Sequence, residues 1–561
     1  MARTTRRGLA ALVLLTLVVA GCSLPAEAPE PEAEPDPPAP LEEPEDQPEE
    51  EGPRAGGTLR LGLSSDPASI DPRFVTDAAG EQIVGALFDP LVRLDERDNV
   101  VAAAARDWEV LDEGASFRFD LRDASFHDGT PVTAEAFKRT FDRIADGTGD
   151  PPSFLAYLLE PIEGADEAQA EGGGLIGVVV EDEHTLRIDL EEPQPGYLMT
   201  LTHPSLVPLT EEADGDLESF AQQPIGNGPF AMLEPREPGA FLRLTRYEEH
   251  HAPPLLDEVV LQVYGEDERD EQWQDLVDGV LQVSDVVPDQ LEDAEERFGR
   301  SRDGYRGPGL LTGVTGTVYL YGFETTQEPF DDPAVRRAIS MSIDRDRLAD
   351  EVMQGTRVAA DSLVPPSIPG SQRGACEHCR HAPEEAAELL DDAEVELESL
   401  TLTHTRGRTH AVIAESMAED IEAALGIAVE LEAQDLQPFV LAVRRGEVPF
   451  FWLGWESSEP DPGGYLFPLF HSSQVGLDNL SRFEDEDIDA LLEEARAAPS
   501  AAAAAPRYRE VERRIMEHAP MLPLLWHRHA LVVRPEVQDL YWSPLGRVDL
   551  SVVWLDEQAA G

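Results

Sequence analysis

Two apolar periods run through the chain from Gly56 onward. Leu59, Leu61 and Leu63 alternate with Arg60 and Gly62, Phe117, Phe119 and Leu121 with Arg118 and Asp120, and Leu186, Ile188 and Leu190 with Arg187 and Asp189. Successive side chains of a strand point to opposite faces, so this period of two predicts half-buried strands. The second period is helical. Ile413, Met417, Ile421 and Leu425 fall on one helix face, Gly426 supplies a left-handed stop, and Ile427, Val429 and Leu431 then alternate. That is a helix running into a strand. Further helices are expected near 133–145, 383–392, 486–497 and 507–518. Helix and strand signals interleave throughout without an internal repeat, which predicts an α/β class with mixed sheets.

Ahead of this body the pattern changes. Arg3, Arg6 and Arg7 precede an apolar run from Leu9 to Val19, followed by Ala20, Gly21 and Cys22. A run this short behind a basic start reads as an export signal and not as a membrane span. The Val19-Ala20-Gly21-Cys22 ending resembles the lipobox of bacterial lipoproteins, in which cleavage precedes the cysteine and its thiol is diacylated. Residues 1–21 are thus expected to be a lipoprotein signal peptide and Cys22 the lipidation site; an ordinary secretory peptide with an incidental cysteine is the plainer alternative. Residues 24–53 hold ten prolines, twelve Asp or Glu and no Lys or Arg. Such a stretch cannot bury enough apolar surface to offset chain entropy, and 22–55 is expected to be a disordered tether extended by its own charge.

Charge and length narrow the function classes. At 561 residues the chain is too long for one core. Its 43 basic and 112 acidic residues leave a formal charge of −69, which repels phosphate backbones and anionic headgroups. No nucleic-acid partner is expected, and membrane contact only through the lipid. The only lysine, Lys138, belongs to neither a P-loop nor a Ser-x-x-Lys string, and no nucleophile elbow, His-Glu-x-x-His or dinucleotide glycine fingerprint is present. The sequence therefore assigns no catalytic residue, no cofactor and no metal. Cys376-Glu377-His378-Cys379, with His381 nearby, has the spacing of half a zinc site, but the remaining cysteine is Cys22. In an exported chain a small-loop disulfide between Cys376 and Cys379 is the expectation, with a metal or free thiols as alternatives. His527 and His529, after Leu524, Leu525 and Trp526, would share one face of a returning strand, which permits a metal pair without requiring one.

Several strings read first as fold. Asp128-Gly129-Thr130-Pro131 suits a tight turn and Thr133 can cap a helix beginning at Ala134, which makes His127 a structural hydrogen-bonding group. Gly226, Gly228 and Pro229 read as a turn of close backbone approach where the chain crosses between lobes. Asp332-Pro333 reads as a cap and a first-turn proline. In chain order, Gly56-Gly57-Thr58-Leu59 with Asp66-Pro67, Asp71-Pro72 and Phe88-Asp89-Pro90-Leu91, then FRFDLRDASFHDGTPVT from Phe117 to Thr133, then Pro224 to Phe230, Asp332 to Asp344, and Gly454-Trp455 with Pro460-Asp461-Pro462, resemble extracellular solute-binding protein family 5. These are the dipeptide and oligopeptide receptors of ATP-binding-cassette (ABC) importers. The resemblance implies a large, type II periplasmic-binding-protein-like fold with a hinge and an interlobe cleft. Lobe I would be 56–310 plus 525–561, with 88–223 an appended subdomain, and lobe II 311–524. It also implies a monomeric, extracytoplasmic lipoprotein that captures peptides for an ABC permease and its ATPase complex. A receptor for another small polar solute, such as a nickel chelate, sugar or opine, is one alternative; a secreted peptidase is another, of a different class.

The best ligand-site candidate is the stretch from Phe450 to Trp455 followed by Glu456, Ser457, Ser458, Glu459, Pro460 and Asp461. Aromatic surface beside carboxylates suits a zwitterion. Phe450 and Trp452, as alternating strand positions, are expected in the core, leaving Trp455 to wall a pocket. Arg444 and Arg445 lie near where oligopeptide receptors of the family place a basic group for the ligand carboxylate; solvated surface arginines are the equal alternative. Peptide receptors of the family commonly carry an aspartate three residues after the tryptophan, and here that position is Ser458, which offers no charge. Glu456, Glu459 or Asp461 would then have to meet a ligand ammonium, with Glu459 or Asp461 the expected anchor. The lipid anchor has its own check: Cys22→Ser is expected to move the exported protein from the membrane to the soluble fraction, and retention on membranes would remove the assignment.

Overall fold

The computed structural model describes residues 52–559 except 76, 394, 396, 458 and 557. The signal segment 1–21, Cys22, the tether through 51, and Ser458 lie outside the described residues. Pro53–Gly561 forms one compact unit, α/β with mixed sheets as the interleaved periods predict. The first sheet has seven strands in the order Gly309–Leu311, Leu531–Val533, Val283–Asp285, Thr58–Leu63, Glu258–Val263, Phe241–Arg246 and Phe230–Met232. Thr58–Leu63 is central and parallel to both neighbours, with Leu61 beside Leu261 and Val283. Leu59, Leu61 and Leu63 enter the core beneath it. Inserted between its strands is a four-stranded antiparallel sheet, Ala105–Leu111, Ser116–Leu121, Thr185–Asp189 and Val178–Asp182, with its own core around Phe117, Phe119, Phe137 and Phe141.

The second large sheet has six strands, in the order Arg357–Ala359, Met521–Arg528, Val314–Phe323, Phe450–Glu456, Ser399–Thr405 and Ala428–Gln434. Phe450 stacks on Phe323 with centroids 4.6 Å apart, and Phe451, on the opposite face, is equally buried. The simple alternation expected over 450–452 thus gives way to a continuous apolar run, because the sheet is covered on both faces.

Caps set the helix ends where the sequence placed them. Thr133 accepts from Ala136 N at the start of Ala134–Ala145, Asp332 accepts from Ala334 N ahead of Pro333–Ser342, and Gly426, at φ +70°, ends Arg408–Leu425. The helix expected from 507 begins earlier, as Ala501–His518. Ala501 to Ala505 show no apolar stripe, but alanine is the strongest helix former and the Ser500 side chain accepts from Ala503 N. The chain also rejoins the first sheet later than 525. Leu522, Pro523, Leu525 and Trp526 all pair with Val314–Phe323, so Met521–Arg528 is a second-sheet strand, and the first sheet resumes at Leu531. His527 lies in that strand and His529 beyond it, so they do not share a strand face.

The two passages between the large sheets, near 312–313 and 529–530, run side by side. His529 N donates to Gly313 O at 3.1 Å, His529 Nε2 lies 2.8 Å from Gly304 O, and Tyr305 Oη donates to Val314 O at 2.6 Å. A Cβ on Gly313 would come 2.3 Å from the Tyr305 ring, so only glycine fits there.

The motif strings act in the same structural way. His127 takes Gly226 N on Nδ1 at 3.2 Å and meets Gly228 O with Nε2 at 3.1 Å, and a Cβ on Gly226 would lie 1.9 Å from Leu87 O. This is where the chain enters and leaves the inserted sheet. Cys376 and Cys379 are joined by a disulfide, which leaves neither sulfur as a thiolate ligand. Arg345 is buried without a carboxylate partner among the described residues: Nε donates to Pro523 O at 2.8 Å, Nη1 to Ser340 O and Cys379 O at 2.8 and 3.0 Å, and Nη2 to Ser340 Oγ at 2.8 Å. Burial pulls its pKa down to about 9, still cationic at neutral pH. Arg345→Met would remove four charge-assisted hydrogen bonds to buried acceptors, so it is expected to cost about 3 kcal/mol or more in urea unfolding. A loss under about 1 kcal/mol would show that the guanidinium does not hold these segments.

Candidate functional site

Strand Phe450–Glu456 leaves the second sheet for a short loop that turns into helix Gly463–Phe470. The loop is fixed by its own polar groups. Ser457 Oγ accepts from Glu459 N at 3.1 Å, Asp461 Oδ1 accepts from Gly463 N at 2.7 Å, and Trp455 Nε1 donates to Gly464 O at 3.0 Å. Trp455 is half-buried against the cluster that holds Tyr465 and Leu466.

Glu459 reaches from this loop to the insert that carries the four-stranded sheet: the Thr200 hydroxyl, at the end of helix Tyr197–Thr200, donates to Glu459 Oε1. Close by, Arg496, the last residue of helix Glu486–Arg496, lies 3.9 Å over the Phe467 ring and donates to Gln194 Oε1 at 2.9 Å. Residues from 194–200 and from 456–496 therefore meet along one seam. Arg547 Nε lies 3.3 Å from Glu81 Oε2, and His203 Nε2 lies 3.9 Å from Glu81 Oε1. Because His203 Nδ1 accepts from Ser205 N, its proton sits on Nε2; burial keeps the ring neutral.

Burial dominates the electrostatics of the seam. It pushes Glu459 up to about 7; the Thr200 hydrogen bond, Arg496 and Arg547 ease this, while the charge of Asp461 adds to it. Burial likewise pushes Asp461 up to about 6, eased only by the Gly463 N–H. Glu456 accepts from Thr317 Oγ1 at 3.0 Å and is open to solvent, yet surrounding protein and the charge of Glu81 still raise it. Among the described residues neither Glu459 nor Asp461 forms an ion pair. Desolvated carboxyls short of positive charge favour a cation, and the guanidiniums of Arg496 and Arg547 nearby can take an anion.

The structure does not add the two predicted arginines to this cluster. Arg445 forks onto Glu447 on the surface, both distances 2.8 Å, and Arg444, at the end of helix Leu436–Arg444, lies 4.0 Å from Asp478. Both are exposed, on the side of the last helical turn opposite the buried Val443. Thr200, Glu81, Arg496 and Arg547 were not singled out by sequence; only Arg496 had a signal, its place at the end of an expected helix.

A family model described as bacterial extracellular solute-binding proteins, family 5 Middle, matches residues 99–476. The probable deoxycholate-binding periplasmic protein YgiS of Escherichia coli K12 is 25% identical over 510 residues, 85% of this chain and 90% of that protein. The dipeptide-binding protein DppE of Bacillus subtilis 168 is 23% identical over 522 residues, covering 89% and 92%. Among solved structures, the periplasmic binding protein DppA from Helicobacter pylori, in complex with peptide STSA, superposes with a TM-score of 0.70 at 20% identity, over 90% of this chain and 99% of that one. The shared fold is the two-lobed one with mixed sheets.

The raised carboxyls give a pH signature without ligand. The folded protein keeps its Glu459 proton up to about 7, whereas an unfolded glutamate loses its proton near 4.5. The stability from this group is complete below about 4.5 and is lost as pH rises through 7. Glu459→Gln keeps an acceptor for Thr200 but cannot ionise. It is expected to exceed wild type at pH 8 by up to about 3 kcal/mol and to match it near pH 4. Denaturant unfolding at the two pH values reads this; the same gap at both would mean the carboxyl is not desolvated.

Proposed function

We propose a function that proceeds from one premise: the chain belongs to the bacterial extracellular solute-binding proteins of family 5. It is a monomeric extracytoplasmic receptor, anchored by a lipid on Cys22 and held off the membrane by its acidic tether. It encloses a peptide between two lobes and presents it to an ABC permease. Lobe I comprises the first sheet with its insert, lobe II the second sheet, and the paired passages at 312–313 and 529–530 are the hinge.

One observation carries this reading. Glu459 and Asp461 are desolvated at the seam without an ion-pair partner among the described residues. A peptide's ammonium placed there would return both to their ionised forms, and an unpaired ammonium in the same place would cost several kcal/mol. Arg496 or Arg547 would meet the ligand carboxylate, and Trp455 would wall the side-chain space. Relatives named for dipeptides and murein peptides support the solute class. The name of the E. coli relative favours a second reading, a steroid carboxylate. Such a ligand has no amine and would engage Arg496 while leaving Glu459 protonated.

Calorimetry separates the two. Free-amine peptides are expected to bind, N-acetylation and Glu459→Gln or Asp461→Asn each to weaken binding about tenfold or more, and binding near pH 6.5 to release protons, seen as an enthalpy that changes with buffer. Binding of deoxycholate but of no free-amine peptide would move the reading to the steroid; unchanged affinity in both variants would remove the amine anchor.

A further inference from the structure

A second polar cluster lies away from the seam, where the chain leaves the first sheet for the insert. Asp89 sits in that passage, its backbone clamped by Asn227, whose side chain accepts from Asp89 N at 3.0 Å and donates to Asp89 O at 3.2 Å. The carboxylate therefore has a fixed place. Beyond strand Phe241–Arg246, two consecutive histidines turn back to it: His250 Nε2 lies 2.9 Å and His251 Nδ1 3.6 Å from the same oxygen, Asp89 Oδ2. One ligand atom from each residue falls within 4.8 Å of the others. Ligands on a tetrahedral zinc ion, with bonds of about 2.1 Å, stand about 3.4 Å apart, so the two distances bracket a coordination sphere.

The tautomer bears on this geometry. His250 Nδ1 lies 2.8 Å from Ala252 O and 3.3 Å from Ala252 N; with its proton on Nδ1 the ring donates to the nearer carbonyl and keeps a lone pair on Nε2. A lone pair 2.9 Å from a carboxylate oxygen is repulsive unless a cation, a proton or a metal ion, lies between them. Burial opposes charge on His250, but the hydrogen bond and charge of Asp89 outweigh it and raise its pKa. His251 Nδ1 faces the same Asp89 oxygen from the open side of the cluster. The His250 side chain is 6% exposed and that of His251 26%, which leaves an approach over His251.

We propose that Asp89, His250 and His251 bind one divalent ion of the zinc type, through two neutral imidazoles and one carboxylate, with the remaining positions taken by water. The neighbours select the kind of ion. Arg93 is ion-paired with Asp549, Arg122 donates to Ala103 O, and both add positive charge at His251. His127 spends both ring nitrogens on Gly226 and Gly228 and stays outside the ligand set. A hard ion held by charge alone would be repelled by those guanidiniums, whereas a borderline ion is held by its bonds to imidazole nitrogen. The ion would replace the His250 proton and clamp the insert to the first sheet.

The test titrates chelator-treated, full-length mature protein carrying Cys22→Ser with Zn2+ in excess Mg2+, which occupies surface carboxylates, and repeats it with Co2+ for its absorption bands. Wild type is expected to bind one Zn2+ with micromolar or tighter affinity, to give tetrahedral or five-coordinate Co2+ bands, and to bind more weakly as pH falls. His251→Ala, which leaves the Asp89–His250 contact in place, is expected to lose at least tenfold in affinity, and Asp89→Asn likewise, while the surface variant Glu447→Gln binds as wild type does. No binding at 100 µM Zn2+, or equal binding by His251→Ala, would overturn the site and leave a proton-bridged Asp89–His250 pair.

Discussion

The two large sheets are joined by two backbone passages that touch, and any rotation of one sheet against the other must pass through them. The seven- and six-stranded sheets share no ladder among the described residues, and the chain joins them near 312–313 and 529–530, where His529 and Gly313 are hydrogen-bonded to each other. Two adjacent passages define a line. Rotation about a line needs only a few backbone torsions to change while both packed bodies keep their cores, the condition for hinge closure as distinct from shear. Tyr305 packs edge-on to His529 at 5.5 Å and fills the space beside Gly313, so the line is stiff across its length. Burial disfavours the charged form of His529, which works against a buried charge at this junction.

The seam lies away from that line, and its carboxyls are the part of the site that costs energy. Exposed pairs such as Arg445 with Glu447 or Arg513 with Glu517 contribute little, typically under about 1 kcal/mol each. Glu459 differs because burial, and not a partner, dominates its environment. The Thr200 hydroxyl comes from the insert, so the group that relieves Glu459 belongs to the opposite side of the seam. Opening the seam would return water to the carboxyl. Closing it without a cation keeps the proton on, and under the proposed function a ligand amine closes the seam and takes the place of that proton.

Much of the fold was legible from spacing and caps. Thr133, Asp332 and Gly426 end their helices as local chemistry requires, and Leu59, Leu61 and Leu63 point into a core as alternation requires. The misreadings have physical causes. An alanine run carries no periodicity, so the helix from Ala501 was expected six residues late; the resemblance placed the return to lobe I at 525, within a strand, so Leu525–Arg528 were given to the first body although they pair in the second sheet. For the candidate site, Trp455, Glu459 and Asp461 were reachable because they lie within seven residues, where one strand ends and its loop begins. Thr200, Glu81 and Arg547 come to the seam from stretches hundreds of residues apart in sequence, and no local pattern marks a contact made only in three dimensions.

Part of the arginine usage has a reason in packing. The chain uses one lysine and otherwise arginine. Arg345 satisfies four buried acceptors, Arg336 reaches the carbonyls of Phe330, His518 and Ala519, and Arg73, fully buried, forks onto Asp71 while reaching Asp214 and Ala213 O. A planar guanidinium offers five donors in fixed directions and stays charged when desolvated, whereas an ammonium offers three and sheds its proton more readily. The acidic excess then works at longer range. A net charge of −69 attracts cationic solutes from beyond contact distance, an effect screened within about 8 Å at physiological salt. Steering of this kind acts on cations in general, and under the proposed function selection among them would fall to the desolvated carboxyls of Glu459 and Asp461.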